Sequence, residues 1–230
     1  MSLPCMILAA GFGTRMGALT RDRPKPLIEV AGCPLIDHAL DEARGGGAAP
    51  IAVNGHHFAD QMRAHLAPMA DVTFCEERPE ILDSGGGIRN ALPHLGQGAI
   101  FTLNADAVWT GPNALHGLAR AWDPDRMDVL ALLVPLQRAV GRKGGGDFAM
   151  DAAGRIRRDP QGHVYTGAQI VKSALFDDYP PGPFSLHAVW KAAIAAGRMF
   201  ATLHPGHWAD VGHPEGIALA EEMLRTDPRV

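Results

Sequence analysis

Residues 8–27 read Leu-Ala-Ala-Gly-Phe-Gly-Thr-Arg-Met-Gly-Ala-Leu-Thr-Arg-Asp-Arg-Pro-Lys-Pro-Leu. They overlap the end of an apolar run, Cys5–Ala9, that lacks polar alternation, the pattern of a parallel strand covered on both faces. Gly11 and Gly13 remove Cβ clashes from the turn after that strand and permit positive φ. Successive N–H groups in such a turn form an anion-binding concavity. Arg15 supplies a planar fork of donors, and Lys25, set between Pro24 and Pro26, a compact point charge. Together these residues describe a loop that holds a triphosphate. A dinucleotide loop would need a third glycine at its own spacing and an acidic residue closing the second strand. Here Gly17 falls one residue late and Ile51–Val53 leads into Asn54.

Outward from that loop, strands alternate with helices. Pro34 suits the first turn of a helix, Leu35, Ile36, Ala39, Leu40 and Ala43 follow at helical spacing, and Gly45-Gly46-Gly47 ends the helix. Ile51–Val53, Val72–Cys75, Ile100–Leu103 and Val129–Val134 read as further strands, with helices over Phe58–Leu66 and Ala114–Trp122 between them. This order implies βαβ units and right-handed crossovers. The predicted fold is α/β, a Rossmann-like three-layer sandwich around a mostly parallel, mixed central sheet. The second half changes character: a hairpin over Asp147–Met150 and Arg155–Arg158, a strand Val164–Val171, a helix Leu186–Ala196, a strand Met199–Leu203 and a last helix near Pro214–Leu224. Gly144-Gly145-Gly146 is the expected flexible loop. No repeat or linker divides the chain, so one domain over 1–230 is expected.

The 230 residues are 47% hydrophobic and 20% charged, an ordinary globular composition large enough for one sizeable α/β domain. A net charge of −4 argues against nucleic acid or an anionic membrane as partner. Arg21 and Arg23 extend the basic cluster near the loop or form a solvated face; the residues leave both open. Cys5, Cys33 and Cys75 are too few and too scattered for a disulfide framework or a zinc site. No stretch has the length of a membrane span and no secretion signal is evident, so a cytoplasmic protein is expected, as a monomer or weak homo-oligomer.

Asp106 ends an apolar strand as a hard oxygen ligand, a placement suited to Mg²⁺ held by few carboxylates plus phosphates. An N-cap for a following helix explains it equally in kind. Asp210 lies at the end of an apolar segment between Trp208 and Val211-Gly212, and on its own reads equally as a loop carboxylate with a structural partner. Ser84-Gly85-Gly86-Gly87 precedes an apolar helical stretch and offers N–H groups to a base or sugar, or is a plain turn. Ala9 and Ala10 permit close approach of a base, or pack at the strand end.

The loop over 8–27 resembles the signature of sugar-1-phosphate nucleotidyltransferases. Later segments match in order: Leu82-Asp83-Ser84-Gly85-Gly86-Gly87-Ile88, Asn104-Ala105-Asp106, Gly146-Asp147-Phe148, Tyr165-Thr166-Gly167 and Gly206-His207-Trp208-Ala209-Asp210-Val211-Gly212. Within the family the triple glycine, the Gly-Asp-Phe segment and the short chain resemble the N-acetylmuramate-1-phosphate uridylyltransferases of bacterial cell-wall recycling. The resemblance implies a nucleoside triphosphate and a sugar 1-phosphate as partners, UTP favoured, with Mg²⁺ held by Asp106 and Asp210. It implies Arg15, Lys25, Asp106 and Asp210 as catalytic, and Ala9, Ala10, Gly11, Gly13, Thr14, Gly86 and Asn104 as nucleotide contacts beside Arg15 and Lys25. Asp147, as a sugar hydroxyl acceptor, and Gly167, as a backbone contact, are the expected sugar contacts or else structural residues, in a sugar-binding part from about 136 to 230 that follows a nucleotide-binding part from about 1 to 135. Two departures stand out: Gly17-Ala18 replaces the proline common before Leu19-Thr20, and the Glu-Lys pair of larger members is not located. A guanylyl- or cytidylyltransferase on mannose 1-phosphate or another phosphate, or a non-catalytic nucleotide-binding relative, is the alternative.

Overall fold

The computed structural model describes residues 2–226. In chain order the elements are β1 (Cys5–Leu8), β2 (Glu29–Val30), β3 (Cys33–Pro34), α1 (Leu35–Gly45), β4 (Ile51–Gly55), α2 (Ala59–Leu66), β5 (Val72–Glu76), α3 (Asp83–Leu95), β6 (Ala99–Asn104), β7 (Ala107–Trp109) and α4 (Ala114–Ala121). There follow β8 (Val129–Val134), β9 (Ala139–Val140), β10 (Phe148–Met150), β11 (Ile156–Arg158), β12 (Val164–Lys172), α5 (Leu186–Ala195), β13 (Met199–Leu203), β14 (Trp208–Asp210) and α6 (Pro214–Thr226). Seven strands form the central sheet in the order β13-β8-β12-β6-β1-β4-β5. β12 runs antiparallel to both its neighbours, and every other pairing in this sheet is parallel. The α/β sandwich with a mostly parallel, mixed sheet is therefore the observed architecture.

The apolar runs are explained by burial on two faces. Met6 and Ile7 of β1 go to opposite clusters, as do Ile100 and Phe101 of β6, which is the period-2 alternation of a strand. One face carries Leu40 of α1, Met62 of α2 and Leu115 of α4; the other carries Ile88 of α3 and Val189 and Trp190 of α5. A third cluster joins Met16 in the loop after β1 to Val211, Ala220 and Met223, so the last helix supports the N-terminal loop. Local signals fix the helix ends. Asn113 accepts from the N–H groups of Leu115 and His116 at the start of α4, and Gly47 turns the chain out of α1 at φ 72°. Pro34 lies one residue before α1, at its N-cap and at the end of β3, rather than within the first turn.

Two glycine runs differ from expectation. Gly85, Gly86 and Gly87 are inside the first turns of α3 and buried. They are small because their neighbours leave no room: a Cβ on Gly85 would strike the Phe184 ring, and one on Gly86 the carbonyl of Gly182. In Gly144-Gly145-Gly146, Gly144 is an exposed bend at φ 113° with open space around it, but the next two glycines are closely packed. Gly146 N–H donates to the Pro160 carbonyl at 2.8 Å, and a Cβ on Gly145 or Gly146 would collide with the carbonyls of Pro160 or Gly162. That close approach pins the segment against the β10–β11 hairpin's outgoing chain.

A buried polar brace ties β1, β4 and α3 together. Glu77, 1% exposed, accepts from Asn54 Nδ2 at 2.6 Å and from Leu82 N–H at 2.7 Å, while Asn54 Oδ1 accepts from Ala9 N–H at 2.7 Å. Gly87 lies against this brace; a Cβ there would stand 2.6 Å from both Asn54 Nδ2 and Glu77 Oε1. Gly87→Ala is therefore expected to lower unfolding stability by about 1–3 kcal/mol through overpacking. Gly117→Ala, in the middle of α4 with open space around it, is expected to be neutral or to gain up to about 1 kcal/mol. Denaturant unfolding of the two variants checks the contrast, and equal losses would contradict it.

Candidate active site

The loop after β1, the turn after β6 and the chain after β14 meet at the carboxyl ends of the parallel strands, where open α/β sheets bind ligands. Gly13 takes φ 65°, and a Cβ there would stand 2.8 Å from Lys25 Cβ and 3.1 Å from Thr20 Cγ2. The loop thus lies directly on the Lys25 stem. Thr20 Oγ1 donates to the Gly13 carbonyl at 3.1 Å and holds the turn closed. Gly11 faces open space; positive φ falls instead at Gly13 and Gly17. Gly17, at φ 60° and ψ −122°, separates two short helical turns over Thr14–Thr20, a conformation that suits glycine.

Two contiguous cavities form the cleft. The first, about 440 Å³, is lined by Ala9, Ala10, Gly11, Gly13, Thr14, Lys25 and Asn54 among others. The second, about 360 Å³, is lined by Arg142, Asp147, Phe148, Arg158, Tyr165, Gly167, His187, Trp190 and Asp210 among others. Leu8, Arg15, Ser84, Asn104 and Asp106 line both. The expected nucleotide contacts therefore gather on one side of a seam and the expected sugar contacts on the other, with one exception. Gly86 lines neither cavity; its N–H donates to the Phe184 carbonyl at 3.1 Å. The N–H that a nucleotide contact at Gly86 would use is therefore already engaged. Ala9 N–H is likewise engaged, by Asn54. Arg21 and Arg23 are exposed and line neither cavity.

Asp106 and Asp210 are brought together by a small sheet, β7-β14-β9, that the sequence pattern did not disclose. Asp210 of β14 lies opposite Ala107 of β7, and Val211 N–H donates to the Asp106 carbonyl at 3.0 Å. Lys25, 8% exposed, places Nζ 2.7 Å from Asp106 Oδ2. Arg15 comes alongside Asp210 at Gly212, where a Cβ would stand 2.8 Å from Asp210 Oδ1 and 3.1 Å from Arg15 Nη1. Burial, and then the Asp106 charge, push the Asp210 carboxyl above its ordinary range, against the pull of Lys25, Arg15 and Arg142. Two adjacent carboxylates, whose repulsion Lys25 and Arg15 offset only in part, make a hard-oxygen donor set that fits Mg²⁺.

On the other side Asp147 is held by Arg142 Nη2 at 2.9 Å and by Tyr165 N–H at 2.9 Å. Gly167 sits at φ 83° where the register of β12 on β8 shifts, and a Cβ there would stand 2.7 Å from Asn104 Cβ. Arg142, Arg158, His187 and Trp190 were not singled out from the sequence. For Arg158 a signal existed: it is two residues beyond Ile156 on β11, hence on the same face.

The charge conflict at Asp210 has a stability consequence. Its folded-state pKa lies above the unfolded value, so the folded state binds the proton more tightly. Ionisation therefore costs stability above the folded pKa, and the cost is relieved as pH falls through that pKa toward the unfolded one. In chelator-treated buffer at neutral pH, Asp210→Asn is expected to raise the thermal midpoint, by about 2–4 °C for each kcal/mol relieved. A thermal scan showing a lower midpoint would remove the charge conflict from the account.

The chain is similar to known proteins over most of its length. The chain is 41% identical over 95% of its length to the N-acetylmuramate alpha-1-phosphate uridylyltransferase of Caulobacter vibrioides, covering 96% of that protein. It is 28% identical over 91% of its length to the protein of the same name from Neisseria meningitidis serogroup B, covering 93% of it. The structure of HddC from Yersinia pseudotuberculosis, complexed with GMP-PN, superposes with a TM-score of 0.78 at 23% identity, over 96% of this chain and 99% of that one, and shares its fold. The model of the MobA-like NTP transferase domain matches residues 5–212, and the chain belongs to that family of nucleotidyltransferases.

Proposed function

We propose that this enzyme joins UTP to N-acetylmuramate 1-phosphate, giving the nucleotide sugar and pyrophosphate in the recycling of cell-wall sugars. The observation that carries the reading is the convergence of Lys25, Arg15, Asp106 and Asp210 on the seam between two cavities. The relative from Caulobacter vibrioides supplies the choice of substrates. Residues 1–230 act as one cytoplasmic domain, monomeric or weakly self-associating, with the nucleotide on the β1 side of the seam and the sugar on the β12 side.

The chemistry follows from what the residues can do. An oxygen of the sugar phosphate attacks the α-phosphorus of UTP, and the bond to the pyrophosphate oxygen breaks in line with it. Both reactants are anions, and a phosphate monoester is already ionised at neutral pH, so no general base is needed. The work lies in cancelling repulsion and aligning the groups. The turn at Gly11–Thr14 receives the β and γ phosphates, with Arg15 at the departing end. Lys25, held at the seam by its ion pair with Asp106, bridges the α-phosphate and the sugar phosphate. Asp106 and Asp210 hold Mg²⁺, which when bound draws negative charge off the α-phosphate oxygens. Gly167, packed against Asn104, and Asp147 border the sugar, with Asn104 on the nucleotide side of the seam.

Lys25→Ala is the direct test. Loss of a preorganised cation at the reacting phosphates is expected to lower kcat by about 10²–10³ or more, with an unchanged far-UV circular dichroism spectrum. A pyrophosphate-release assay on UTP and N-acetylmuramate 1-phosphate, with and without a chelator, reads it. Near-normal turnover by the variant, or full activity in the chelator, would overturn this mechanism.

A further inference from the structure

The sugar-side cavity holds two arginines besides Arg15 at the seam, and they are in different states. Arg142 is spent on Asp147 at 2.9 Å. Arg158 has no ion-pair partner among the described residues; its guanidinium carbon lies 4.5 Å from the Phe148 ring centroid and 5.5 Å from that of Trp190. Its placement is built by the hairpin. The β10–β11 register sets Arg158 opposite Phe148, and strand alternation puts it on the face of Ile156, which is buried in the core cluster. Its neighbours along the strand are committed elsewhere: Arg157 reaches Asp159 at 3.0 Å and points away. Phe148 and Trp190 are themselves buried, at 0% and 3% exposed, and Trp190 Nε1 is tied to Gln169 Oε1 at 2.9 Å. The guanidinium thus lies in a corner made by two fixed aromatic rings set at 74° to each other, over Phe148 and beside Trp190, with no hydrogen-bond partner among the described residues, inside the cavity that takes the sugar.

A cation stacked on aromatic faces gains from the ring quadrupole, and a guanidinium keeps its in-plane donors available while stacked. The matching group is a planar carboxylate, which accepts two parallel N–H bonds. A sugar phosphate bearing only hydroxyl and acetamido groups would leave that fork unused; one bearing an ether-linked carboxylic acid would fill it. We propose that Arg158 is a specificity residue that selects sugar 1-phosphates carrying a carboxylate, by pairing with that carboxylate in the Phe148–Trp190 corner. The inference rests on the nucleotidyl transfer proposed above and names the residue by which the site distinguishes an acidic sugar from its neutral counterpart.

The test compares N-acetylmuramate 1-phosphate with N-acetylglucosamine 1-phosphate, which lacks only the lactyl ether and its carboxylate. Wild-type enzyme is expected to prefer the acidic compound in kcat/KM. Arg158→Ala is expected to lower that preference by about 10- to 100-fold, the usual worth of a charge-assisted hydrogen bond, with the change carried by KM for the sugar and not by KM for UTP. Arg158→Lys, which keeps the charge and loses the planar fork, falls between. Calorimetric binding of N-acetylmuramate 1-phosphate in the presence of UDP follows the same order without turnover. A preference unchanged in Arg158→Ala, or a loss equal for both sugars, would overturn the role of Arg158 while leaving the transferase reading in place. A wild type that forms a nucleotide sugar from neither compound would instead refute the transferase reading, and calorimetry would then decide Arg158: acid-selective binding lost in the alanine variant supports it, indifferent binding refutes it.

Discussion

The structure depends on one antiparallel contact of three residues, in which β14 returns from the far end of the chain and pairs with β7. Through it Asp210 lands beside Asp106 although 104 positions separate them in sequence. The contact holds two carboxylates within repulsive reach, and the protein offsets this with the Lys25 ammonium, bonded to Asp106 and nearly inaccessible to water. An arrangement of this kind is poor for stability and good for polyanion chemistry, because buried like charges are costly unless an added cation completes them. Around that contact the rest is support: α6 packs behind both β14 and the loop after β1, so the loop, the lysine and the second acid are held by one cluster.

Much of the lining of the first cavity was legible in the sequence because its signals are local. A glycine turn follows an apolar strand, Lys25 sits between prolines, and Asp106 follows the strand Ala99–Asn104 by two residues. The three-layer sandwich was legible because strands buried on both faces show as uninterrupted apolar runs; all six residues of β8 are buried. What escaped was non-local. The sheet β7-β14-β9 consists of strands of two or three residues, too short for any periodicity to declare. Gly85–Gly87 and Gly144–Gly146 looked like turns because glycine's commonest reason is conformational. At Gly85–Gly87, Gly145 and Gly146 the reason is space, set by Phe184, Glu77 and the carbonyls of Gly182, Pro160 and Gly162, residues whose proximity only the tertiary structure creates; Gly144, at φ 113° with open space around it, keeps the conformational reason.

The brace Ala9–Asn54–Glu77–Leu82 shows how a buried polar chain serves the site without touching the reacting atoms. Glu77 is raised above its ordinary carboxyl range by burial, despite the N–H groups of Leu82 and Asn54 that favour its charge. Such a group lowers stability unless its bonds are complete. Its bonds are complete because it joins two segments that must keep fixed positions: the start of the phosphate loop at Ala9, and the entry to α3, whose residues Asp83 and Ser84 line the first cavity. Asp83 enters that helix at φ 57°, a left-handed conformation that costs free energy outside glycine. Its carboxylate accepts from Ser84 N–H at 2.5 Å, a local bond that helps to hold the bend.

Charge balance explains why a cleft in a chain of net charge −4 can take two polyanions. The cavities are lined by four cations, Arg15, Lys25, Arg142 and Arg158, and by four carboxylates, Asp83, Asp106, Asp147 and Asp210. By formal charge these cancel. A neutral cleft does not attract a triphosphate and a sugar phosphate together, since each brings charge that repels the other over a few ångströms. Two of the acids are engaged within the protein, Asp147 by Arg142 and Asp83 by the adjacent N–H. The other two, Asp106 and Asp210, repel each other, and Lys25 on Asp106 with Arg15 near Asp210 offsets that repulsion only in part. In the proposed reaction a dication at that pair turns a balanced cleft into one with two excess positive charges, placed at the seam where the phosphates meet. On that proposal, the carboxylates that cost stability in the free protein are what would tie its affinity for both substrates to a bound dication.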